Sequence, residues 1–377
     1  DTKKALQDIA SYYIRKQNVP VVGITGSVGK TTTRELVAKA LSAELSVYQT
    51  PGNKNSQTGV PLSLAEVGSE DIAIIELGIS EFGEMEALSK IVDLDIGVIT
   101  NIGIAHIKQL ISKENIYKEK LTITKALKKD GILLLNGDDP MLSEFDGGGE
   151  YKTYFYGTGD NCQFRARNIK VMDGVTVFDA ICLGEKVFVE LPMLGEHNVV
   201  NAIVGLAVAY LRGVSLKKVA NQFKIFEGIK MRQQIHIKNE CTIIDDTYNA
   251  NPDSMKAGIS VLKNYNSKGR KIAILGDMLE LGEAEVLYHE EIGRIVADTN
   301  INILLTKGEL SKYISNTAKE KNKEILTKHF GSNSEVISYL KELLSPGDTI
   351  FLKGSRGMAL DEVVMYILNR ENFSDGI

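Results

Sequence analysis

The stretch between Val21 and Thr33 constrains the fold of this chain more than any other part of it. An apolar run that ends at Ile24 predicts a buried strand, a Gly-Ser-Val-Gly turn follows, and Lys30 opens a helical pattern. This order aims backbone N–H groups and the positive end of a helix dipole at one point, which favours a bound phosphate. We therefore expect an α/β domain built around a phosphate-binding loop.

The loop matches only the second half of a Walker A motif. The strict motif places a glycine five residues before Gly29, where this chain has Ile24. A glycine-containing turn with a chance Lys-Thr pair is the alternative, but strand, turn, Lys-Thr and helix follow one another in the required order. We predict a nucleoside triphosphate site in which Lys30 contacts a phosphate and the hydroxyl of Thr31 or Thr32 binds Mg²⁺.

Composition narrows the class of protein. The 377 residues exceed one ordinary hydrophobic core and predict two domains. A net charge of -5 gives no basic surface that would indicate a nucleic-acid partner. No apolar run approaches the ~20 residues that span a bilayer and no signal peptide is visible, so we expect no membrane insertion and a cytoplasmic location. The wide spacing of the three cysteines predicts core packing instead of disulfides or a metal cluster (Cys162, Cys182 and Cys241).

Two further apolar runs end in residues whose side chains can bind metals. Residues 71–78 predict a buried strand with Glu76 at its carboxyl end, where ligands bind in α/β sheets. Residues 96–106 predict a second strand and a loop that carries His106. Glu76 is either a Mg²⁺ ligand or a salt-bridged structural carboxylate, and His106 is either structural or a contact to metal or phosphate. Their expected closeness to Thr31 favours the functional interpretation of both.

The other patterns of the first half complete a mostly parallel sheet. Residues 2–17 predict an amphipathic helix, and the polar loop over 46–61 is equally consistent with a plain connection and with a substrate contact. Residues 113–129 predict a basic helix that contains Lys120, with most of its lysines on a solvated face. From about residue 150 to residue 194, short alternating runs broken by glycine turns predict appended antiparallel strands.

A helix rich in small residues begins near Gly195 and carries Asn198 and Asn201 on one face. Asparagine is normally disfavoured inside a helix, and an amide that hydrogen-bonds a purine edge would supply a functional reason for it. Capping explains Asn198 almost as well, but it does not explain Asn201.

Beyond an interdomain link near residue 228, the chain restarts an alternation of strands and helices. This pattern predicts a smaller, Rossmann-like second domain, so that we divide the chain into domains of residues 1–228 and 229–377. Functional groups of this domain are expected at the carboxyl ends of its strands. They are Asp246, Asn249, Asn251, Asp277, Ser355 and Arg356.

Several blocks of the sequence together resemble the Mur ligase family. The blocks are Thr25-Gly-Ser-Val-Gly-Lys-Thr-Thr32, Glu76-Leu-Gly78, Thr100-Asn-Ile-Gly-Ile-Ala-His106, Gly195-Glu-His-Asn-Val-Val-Asn-Ala202 and Asp245-Asp-Thr-Tyr-Asn-Ala-Asn-Pro252. The last of these, with the Gly276–Gly282 and Lys353–Ala359 blocks, resembles the member that adds D-alanyl-D-alanine to UDP-N-acetylmuramoyl-tripeptide. The family's small N-terminal UDP-binding domain has no counterpart here. We therefore expect a fragment, or a relative that holds its acceptor differently.

The resemblance implies a mechanism and a set of site residues. A peptide carboxylate attacks the γ-phosphate of ATP to give an acyl phosphate, and the amine of D-Ala-D-Ala then displaces phosphate. The implied phosphate contacts are Gly26, Ser27, Gly29, Lys30, Thr31 and Thr32. The implied ligands of two Mg²⁺ ions are Thr31, Glu76, His106 and Lys120, the last as a lysine carbamylated by CO₂.

The resemblance also assigns residues to the rest of the nucleotide. Asn198 and Asn201 match adenine contacts, Asp246 the ribose carboxylate, and Arg232 an arginine that reaches the γ-phosphate. The implied catalytic residues are Lys30, His106, Lys120 and Arg232. Weaker candidates for contacts to the dipeptide or to ATP are Asn249, Asn251, Ser355 and Arg356.

Other classes of function stay open on the sequence alone. One is another Mur-type or folylpolyglutamate-synthase-like ligase, against which the Asn249–Pro252 and Lys353–Arg356 blocks weigh. A P-loop switch or kinase would need neither the second domain nor an amine substrate. A third alternative is a nucleotide-binding module that is inactive without an N-terminal domain. We expect small-molecule substrates and a monomer.

Overall fold

The structure is a computed structural model that describes residues 1–172 and 174–370. The chain divides into two compact units. Unit 1 comprises Asp1–Pro192 and Glu196–Glu227, and unit 2 comprises Met193–Gly195 and the described residues from Gly228 onward.

Unit 1 is built on one nine-stranded sheet. Its strands are β1 (Val21–Thr25), β2 (Val47–Gln49), β3 (Ile72–Glu76), β4 (Leu94–Ile99), β5 (Leu127–Asn136), β6 (Lys152–Gly157), β7 (Phe164–Met172), β8 (Val175–Cys182) and β9 (Glu185–Leu191). Its helices are α1 (Thr2–Gln17), α2 (Lys30–Leu41), α3 (Gly59–Ala65), α4 (Glu84–Ser89), α5 (Ile107–Leu110), α6 (Lys113–Leu121), α7 (Glu196–Leu211) and α8 (Leu216–Lys224). The strand order is β2-β3-β1-β4-β5-β6-β7-β8-β9.

The sheet is parallel from β2 to β7, and β8 and β9 extend it as antiparallel strands. The prediction of antiparallel strands from about residue 150 is therefore wrong for β6, which pairs in parallel with both β5 and β7. All residues of β1 and β3 are buried, as parallel strands covered on both faces require. Because β1 lies between β3 and β4, the loops that follow these three strands meet at one edge.

The predicted helix over residues 2–17 is confirmed as α1, whereas the predicted helix over 113–129 is too long. Helix α6 ends at Leu121, a short 3-10 helix covers Thr122–Ala126, and β5 begins at Leu127. The hydroxyls of Thr122 and Thr124 donate to backbone carbonyls of the preceding turn, a competing hydrogen bond that disfavours a continued α-helix.

Unit 2 has a six-stranded sheet with the order β10-β11-β15-β12-β13-β14. Its strands are β10 (Gln234–Lys238), β11 (Cys241–Asp245), β12 (Lys271–Gly276), β13 (Ile303–Lys307), β14 (Leu326–Phe330) and β15 (Thr349–Lys353). Its helices are α9 (Pro252–Asn264), α10 (Glu285–Ala297), α11 (Ser311–Lys321), α12 (Asn333–Leu343) and α13 (Asp361–Asn369). Only the β10–β11 pair is antiparallel, which agrees with the predicted doubly wound pattern.

In the described part of the chain, no helix combines the length and the apolar character needed to cross a bilayer. Cys162, Cys182 and Cys241 are buried and unbridged, which confirms the prediction that they pack in the core.

Candidate active site

The loop between β1 and α2 needs glycine at two positions. Gly26 has a φ of 150°, and a Cβ atom there would lie 1.8 Å from Thr100 Oγ1. Gly29 has a φ of 84° and is the N-cap of α2. The loop therefore packs closely against the end of β4. The positive end of the α2 dipole faces the loop.

Lys30 lies over this loop. Its Nζ donates to the carbonyl oxygen of Gly26 at 2.8 Å and lies 3.5 Å from that of Ser27. Backbone carbonyls of the loop thus hold the ammonium group of Lys30 beside the turn that would bind a phosphate.

Glu76, the last residue of β3, is 2% exposed and accepts hydrogen bonds from three side chains. Thr31 Oγ1 donates to Glu76 Oε2 at 3.0 Å, and Arg34 Nη1 lies 3.2 Å from the same oxygen. Asn55 Nδ2 donates to Glu76 Oε1 at 2.7 Å. Both sequence interpretations of Glu76 describe part of this geometry, because the carboxylate is salt-bridged and also contacts the predicted Mg²⁺ hydroxyl.

The donor set fits a magnesium ion. Carboxylate and hydroxyl oxygens are the ligands that Mg²⁺ prefers, and Thr31 and Glu76 supply one of each at hydrogen-bond distance. Within residues 1–172 and 174–370, no three His, Cys, Asp or Glu side chains cluster as a ready-made metal site. Additional ligands for an ion would therefore come from phosphate, water or a modified side chain.

Sequence reasoning missed Arg34 and Asn55, the two other partners of Glu76. Arg34 is 3% exposed although it stands in a helix whose pattern allowed a solvated arginine at this position. Asn55 lies in the polar loop for which a substrate contact and a plain connection were equally favoured. The hydrogen bond to Glu76 fixes this loop beside the Glu76 carboxylate.

Lys120 is 2% exposed, while the other lysines of α6 are exposed, as predicted. Burial lowers the pKa of Lys120 well below its ordinary value, and the nearby positive charge of Lys30 lowers the pKa further. A buried lysine with a lowered pKa is a nucleophilic amine, the form that reacts with CO₂.

His106 follows the loop after β4 and has a φ of 60°. It is the N-cap of the short helix α5, at the edge of the sheet where the loops after β1 and β3 also lie. A positive φ is uncommon for residues other than glycine, although histidine adopts it more readily than most. Its role toward a metal or a phosphate stays a prediction.

Asn201 lies against the beginning of α2. Its Oδ1 accepts a hydrogen bond from Thr33 Oγ1 at 3.1 Å, and its Nδ2 is 3.4 Å from Asn198 Oδ1. A Cβ atom at Gly29 would lie 3.0 Å from Asn201 Oδ1. The two amides therefore belong to the same site as the phosphate loop, and their contact to adenine stays a prediction.

In unit 2, Asp246 forms a buried ion pair with Lys353. Lys353 Nζ donates to Asp246 Oδ2 at 2.7 Å and to the carbonyl oxygen of Asn249 at 2.9 Å. Burial raises the pKa of Asp246, and the positive charges of Lys353 and Arg232 oppose that shift. Arg232 itself stacks over the ring of Tyr248, with 4.1 Å between its Cζ and the ring centroid.

The weaker candidates of unit 2 have structural contacts that the sequence did not predict. Asn251 and Ser254 form a reciprocal capping box at the start of α9. Ser355 Oγ accepts from the N–H of Leu279 at 2.9 Å and donates to the carbonyl of Ala250 at 3.2 Å. The exposed Arg356 lies 3.2 Å from Asp361, and Asn249 Oδ1 accepts from the next N–H along the chain. Substrate contacts of these four residues stay predictions.

Asp277 likewise has a structural role. Its carboxylate accepts the backbone N–H groups of Glu309, Leu310 and Ser311 at 2.9, 3.1 and 2.6 Å. The side chain therefore fixes the connection between β13 and α11.

Comparison with known proteins identifies the family. The Mur ligase middle domain matches residues 24–209, and the Mur ligase, glutamate ligase domain matches residues 231–356. The chain belongs to the Mur ligase family. Within that family, the chain is similar to proteins named UDP-N-acetylmuramoyl-tripeptide--D-alanyl-D-alanine ligase and to solved structures of MurF.

The relatives cover most of the chain. The UDP-N-acetylmuramoyl-tripeptide--D-alanyl-D-alanine ligase of Bacillus subtilis (strain 168) is 36% identical over 367 residues, which are 97% of this chain and 79% of that protein. A crystal structure of MurF from Acinetobacter baumannii has a TM-score of 0.89 at 30% identity and covers 98% of this chain and 81% of that one. The structure of MurF from Thermotoga maritima, in complex with ADP, has a TM-score of 0.88 at 26% identity, and the match covers 97% of this chain and 83% of that one.

Proposed function

We propose that this chain is an ATP-dependent ligase that joins D-Ala-D-Ala to UDP-N-acetylmuramoyl-tripeptide. The observation that carries the proposal is the Thr31–Glu76 pair, a hydroxyl and a buried carboxylate 3.0 Å apart beside a phosphate loop. This pair suits the Mg²⁺ ion that accompanies a nucleoside triphosphate. The names of the relatives, at up to 36% identity, supply the substrates.

The reaction has two steps. A carboxylate oxygen of the tripeptide attacks the γ-phosphorus of ATP, the bond to the β,γ-bridging oxygen breaks, and ADP leaves an acyl phosphate behind. The amine of D-Ala-D-Ala then attacks the acyl carbon, loses a proton, and expels inorganic phosphate from the tetrahedral intermediate. Both steps bring negative charges together, so that positioning and cationic contacts dominate the catalysis.

The residues of this chain divide that work. The loop from Gly26 to Thr32 encloses the phosphates and Lys30 contacts them, and Arg232 contacts the γ-phosphate. Asn198 and Asn201 hold the adenine and Asp246 the ribose. Thr31, Glu76, His106 and Lys120 would hold Mg²⁺, which neutralises phosphate oxygens when it is bound.

We assign to Lys120 a carbamate formed with CO₂. Its burial disfavours the ammonium form, and a second cation beside Lys30 would repel a metal. A carbamate replaces that cation by anionic oxygen ligands of the kind that Mg²⁺ prefers. The same proposal includes two Mg²⁺ ions, a monomer and a cytoplasmic reaction on small-molecule substrates.

The deciding experiment measures ADP and phosphate release with each substrate omitted in turn. Ligation predicts release only when ATP, UDP-N-acetylmuramoyl-tripeptide and D-Ala-D-Ala are all present, and a new amide product by mass spectrometry. Phosphate release that ignores both other substrates would contradict the proposal and favour a P-loop switch. Release with a different amine donor would favour another Mur-type ligase. Lys30→Met should abolish the release, and Lys39→Met, in the last turn of the same helix, is the matched control.

A further inference from the structure

Asn101 binds both polar groups of one residue in the phosphate loop. The N–H of Val28 donates to Asn101 Oδ1 at 2.9 Å, and Asn101 Nδ2 donates to the Val28 carbonyl oxygen at 2.9 Å. Thr100 Oγ1 donates to the same carbonyl oxygen at 2.6 Å. Thr100 and Asn101 directly follow β4, so that a neighbouring strand holds the Val28 backbone in place.

The preceding residue is bound from the same side. The N–H of Ser27 donates to the carbonyl oxygen of Asn101 at 3.1 Å, and Ser27 Oγ accepts from the N–H of Gly103 at 2.9 Å. The N–H groups of Ser27 and Val28 are thus both directed toward the loop after β4. Donors for a phosphate then come from the part of the loop that begins at Gly29, where α2 starts.

The orientation of the Val28 carbonyl matters for an anion. A carbonyl oxygen that faced the phosphates would repel them, whereas here two donors hold it toward β4. Gly26 and Gly29 flank this segment with φ values of 150° and 84°, and glycine gives a backbone the freedom to rotate a peptide group. Without the two donors, the segment would have little to fix the direction of this carbonyl.

The loop after β4 is itself anchored. Asn136 Nδ2 donates to the carbonyl of Thr100 at 2.9 Å, and Tyr156 Oη donates to that of Ile99 at 2.9 Å. The N–H of Ile102 donates to Asp139 Oδ2 at 2.8 Å. Three side chains from β5, the β5–β6 connection and β6 therefore fix the backbone that carries Asn101.

We propose that Asn101 is a positioning residue for the nucleotide phosphates. Its side-chain amide directs the Val28 carbonyl away from the ligand. Because Asn101 also accepts the N–H groups of Ser27 and Val28, the N–H groups from Gly29 onward are the ones that bind phosphate. The inference rests on the proposed function, because it takes this loop to bind a triphosphate. It concerns the triphosphate part of the ligand and leaves the adenine and ribose contacts unchanged.

The test compares ATP with two ligands that each carry part of it: inorganic tripolyphosphate, which has the triphosphate alone, and AMP, which has the adenine and ribose with one phosphate. Asn101→Leu removes the amide without adding charge. We expect its affinities for ATP and for inorganic tripolyphosphate to fall about 10- to 100-fold, because a desolvated carbonyl and N–H lose their partners. The affinity for AMP, which has the same adenine and ribose, should change by less than about twofold. Calorimetric titration measures all three affinities.

Asn322→Leu is the matched control. Asn322 also accepts a backbone N–H through Oδ1, from Glu324 at 3.0 Å, and donates through Nδ2 to a carbonyl, that of Ala297 at 3.1 Å. Asn322 directly follows α11 and is not among the residues that we assign to the nucleotide, so that its loss should leave the ATP affinity unchanged. If Asn101→Leu does not fold, Thr100→Val is the second variant, because it removes one donor to the Val28 carbonyl and keeps the size of the side chain. Its affinities for ATP and tripolyphosphate should fall about 3- to 10-fold, and its affinity for AMP should stay unchanged.

The outcomes separate this inference from the proposed function. A loss confined to ATP and tripolyphosphate supports the positioning role. Unchanged affinities, or an equal loss for AMP, would overturn it while the wild-type protein still binds ATP. A wild-type protein that binds neither ATP nor tripolyphosphate would overturn the proposed function and the inference together.

Discussion

Arg34 Nη1 lies 3.2 Å from Glu76 Oε2, and the side chains are 3% and 2% exposed. The same nitrogen donates to the carbonyl of Gly52 at 2.8 Å, and Arg34 Nη2 donates to Glu35 Oε1 at 2.6 Å. One guanidinium thus joins the phosphate-loop helix, the end of β3 and the polar loop after β2. Removal of a single partner from such a pair leaves an uncompensated buried charge.

We expect Arg34→Met to lower the free energy of unfolding by about 3–5 kcal/mol. Urea denaturation measures this change. Arg15→Met is the control, because Arg15 pairs with Asp93 at the surface with side-chain exposures of 52% and 44%. That substitution should cost about 0–1 kcal/mol. Equal losses in the free energy of unfolding would mean that the buried Arg34–Glu76 pair stabilises the protein no more than the exposed Arg15–Asp93 pair.

The close approach of Gly26 to Thr100 predicts that Gly26→Ala disrupts the phosphate loop. Its Cβ would lie 1.8 Å from Thr100 Oγ1, so that the loop must move away from β4. We expect the ATP affinity to fall about 10- to 100-fold, since a hydrogen bond to a charged phosphate contributes about 1.5–3 kcal/mol. Gly184→Ala controls for backbone strain, because Gly184 also has a positive φ, of 99°, but faces open space. Similar ATP affinities in the two variants would contradict this account.

The burial of Lys120 predicts that its carbamate can be observed directly. Isotopically labelled bicarbonate should give a carbamate NMR signal in the wild-type protein that Lys120→Ala lacks. We expect Lys120→Ala to lose about 100-fold or more in kcat, with partial rescue by short carboxylic acids and none by excess CO₂. Lys118→Ala, an exposed lysine of the same helix, should keep both signal and rate. A signal that survives Lys120→Ala would refute the assignment.

His289 predicts a loss of stability in mild acid. It is fully buried; its Nε2 accepts from the N–H of Met278 at 3.0 Å, and its Nδ1–H donates to the carbonyl of Glu285 at 2.6 Å. Burial lowers the pKa of this histidine from 6.5. The unfolded chain then binds the proton more readily, so that stability is present above pH 6.5 and falls as the pH drops toward the lowered folded value.

Urea denaturation between neutral pH and pH about 5 tests this, since it spans the ordinary range of histidine titration. His289→Gln removes the titrating group and keeps an acceptor for Met278. This variant should lose less stability over the same interval than the wild-type protein. Parallel curves for the two proteins would show that other groups cause the acid sensitivity.

Much of the framework was predictable from the sequence because parallel strands leave strong patterns. Buried apolar runs identified β1, β3 and β4, and the end of each run placed Glu76 and the loop toward His106 at one edge. The direction of β6 was not predictable, since an alternating strand has the same pattern in parallel and antiparallel pairs. The early end of α6 depended on hydroxyl groups that compete for backbone carbonyls.

The residues that position the site were harder to predict than the residues expected to bind the nucleotide. Nothing in the helical pattern distinguishes an arginine in water from Arg34, whose partner Glu76 is 42 residues away. Asn101 lies in one of the blocks that resemble the Mur ligase family, but its side chain contacts the backbone of Val28, and a backbone contact does not require a particular residue type at Val28. Such long-range polar contacts become visible only when the fold brings the loops together.

The three buried cysteines have a practical consequence for experiments on this protein. Burial raises the pKa of Cys162 to about 11, that of Cys182 to about 12 and that of Cys241 to about 11. The thiolate is the form that reacts with maleimides, and shielded thiols with such pKa values stay protonated near neutral pH. A cysteine introduced at the surface would therefore carry a fluorophore selectively, and none of the native cysteines would have to be replaced.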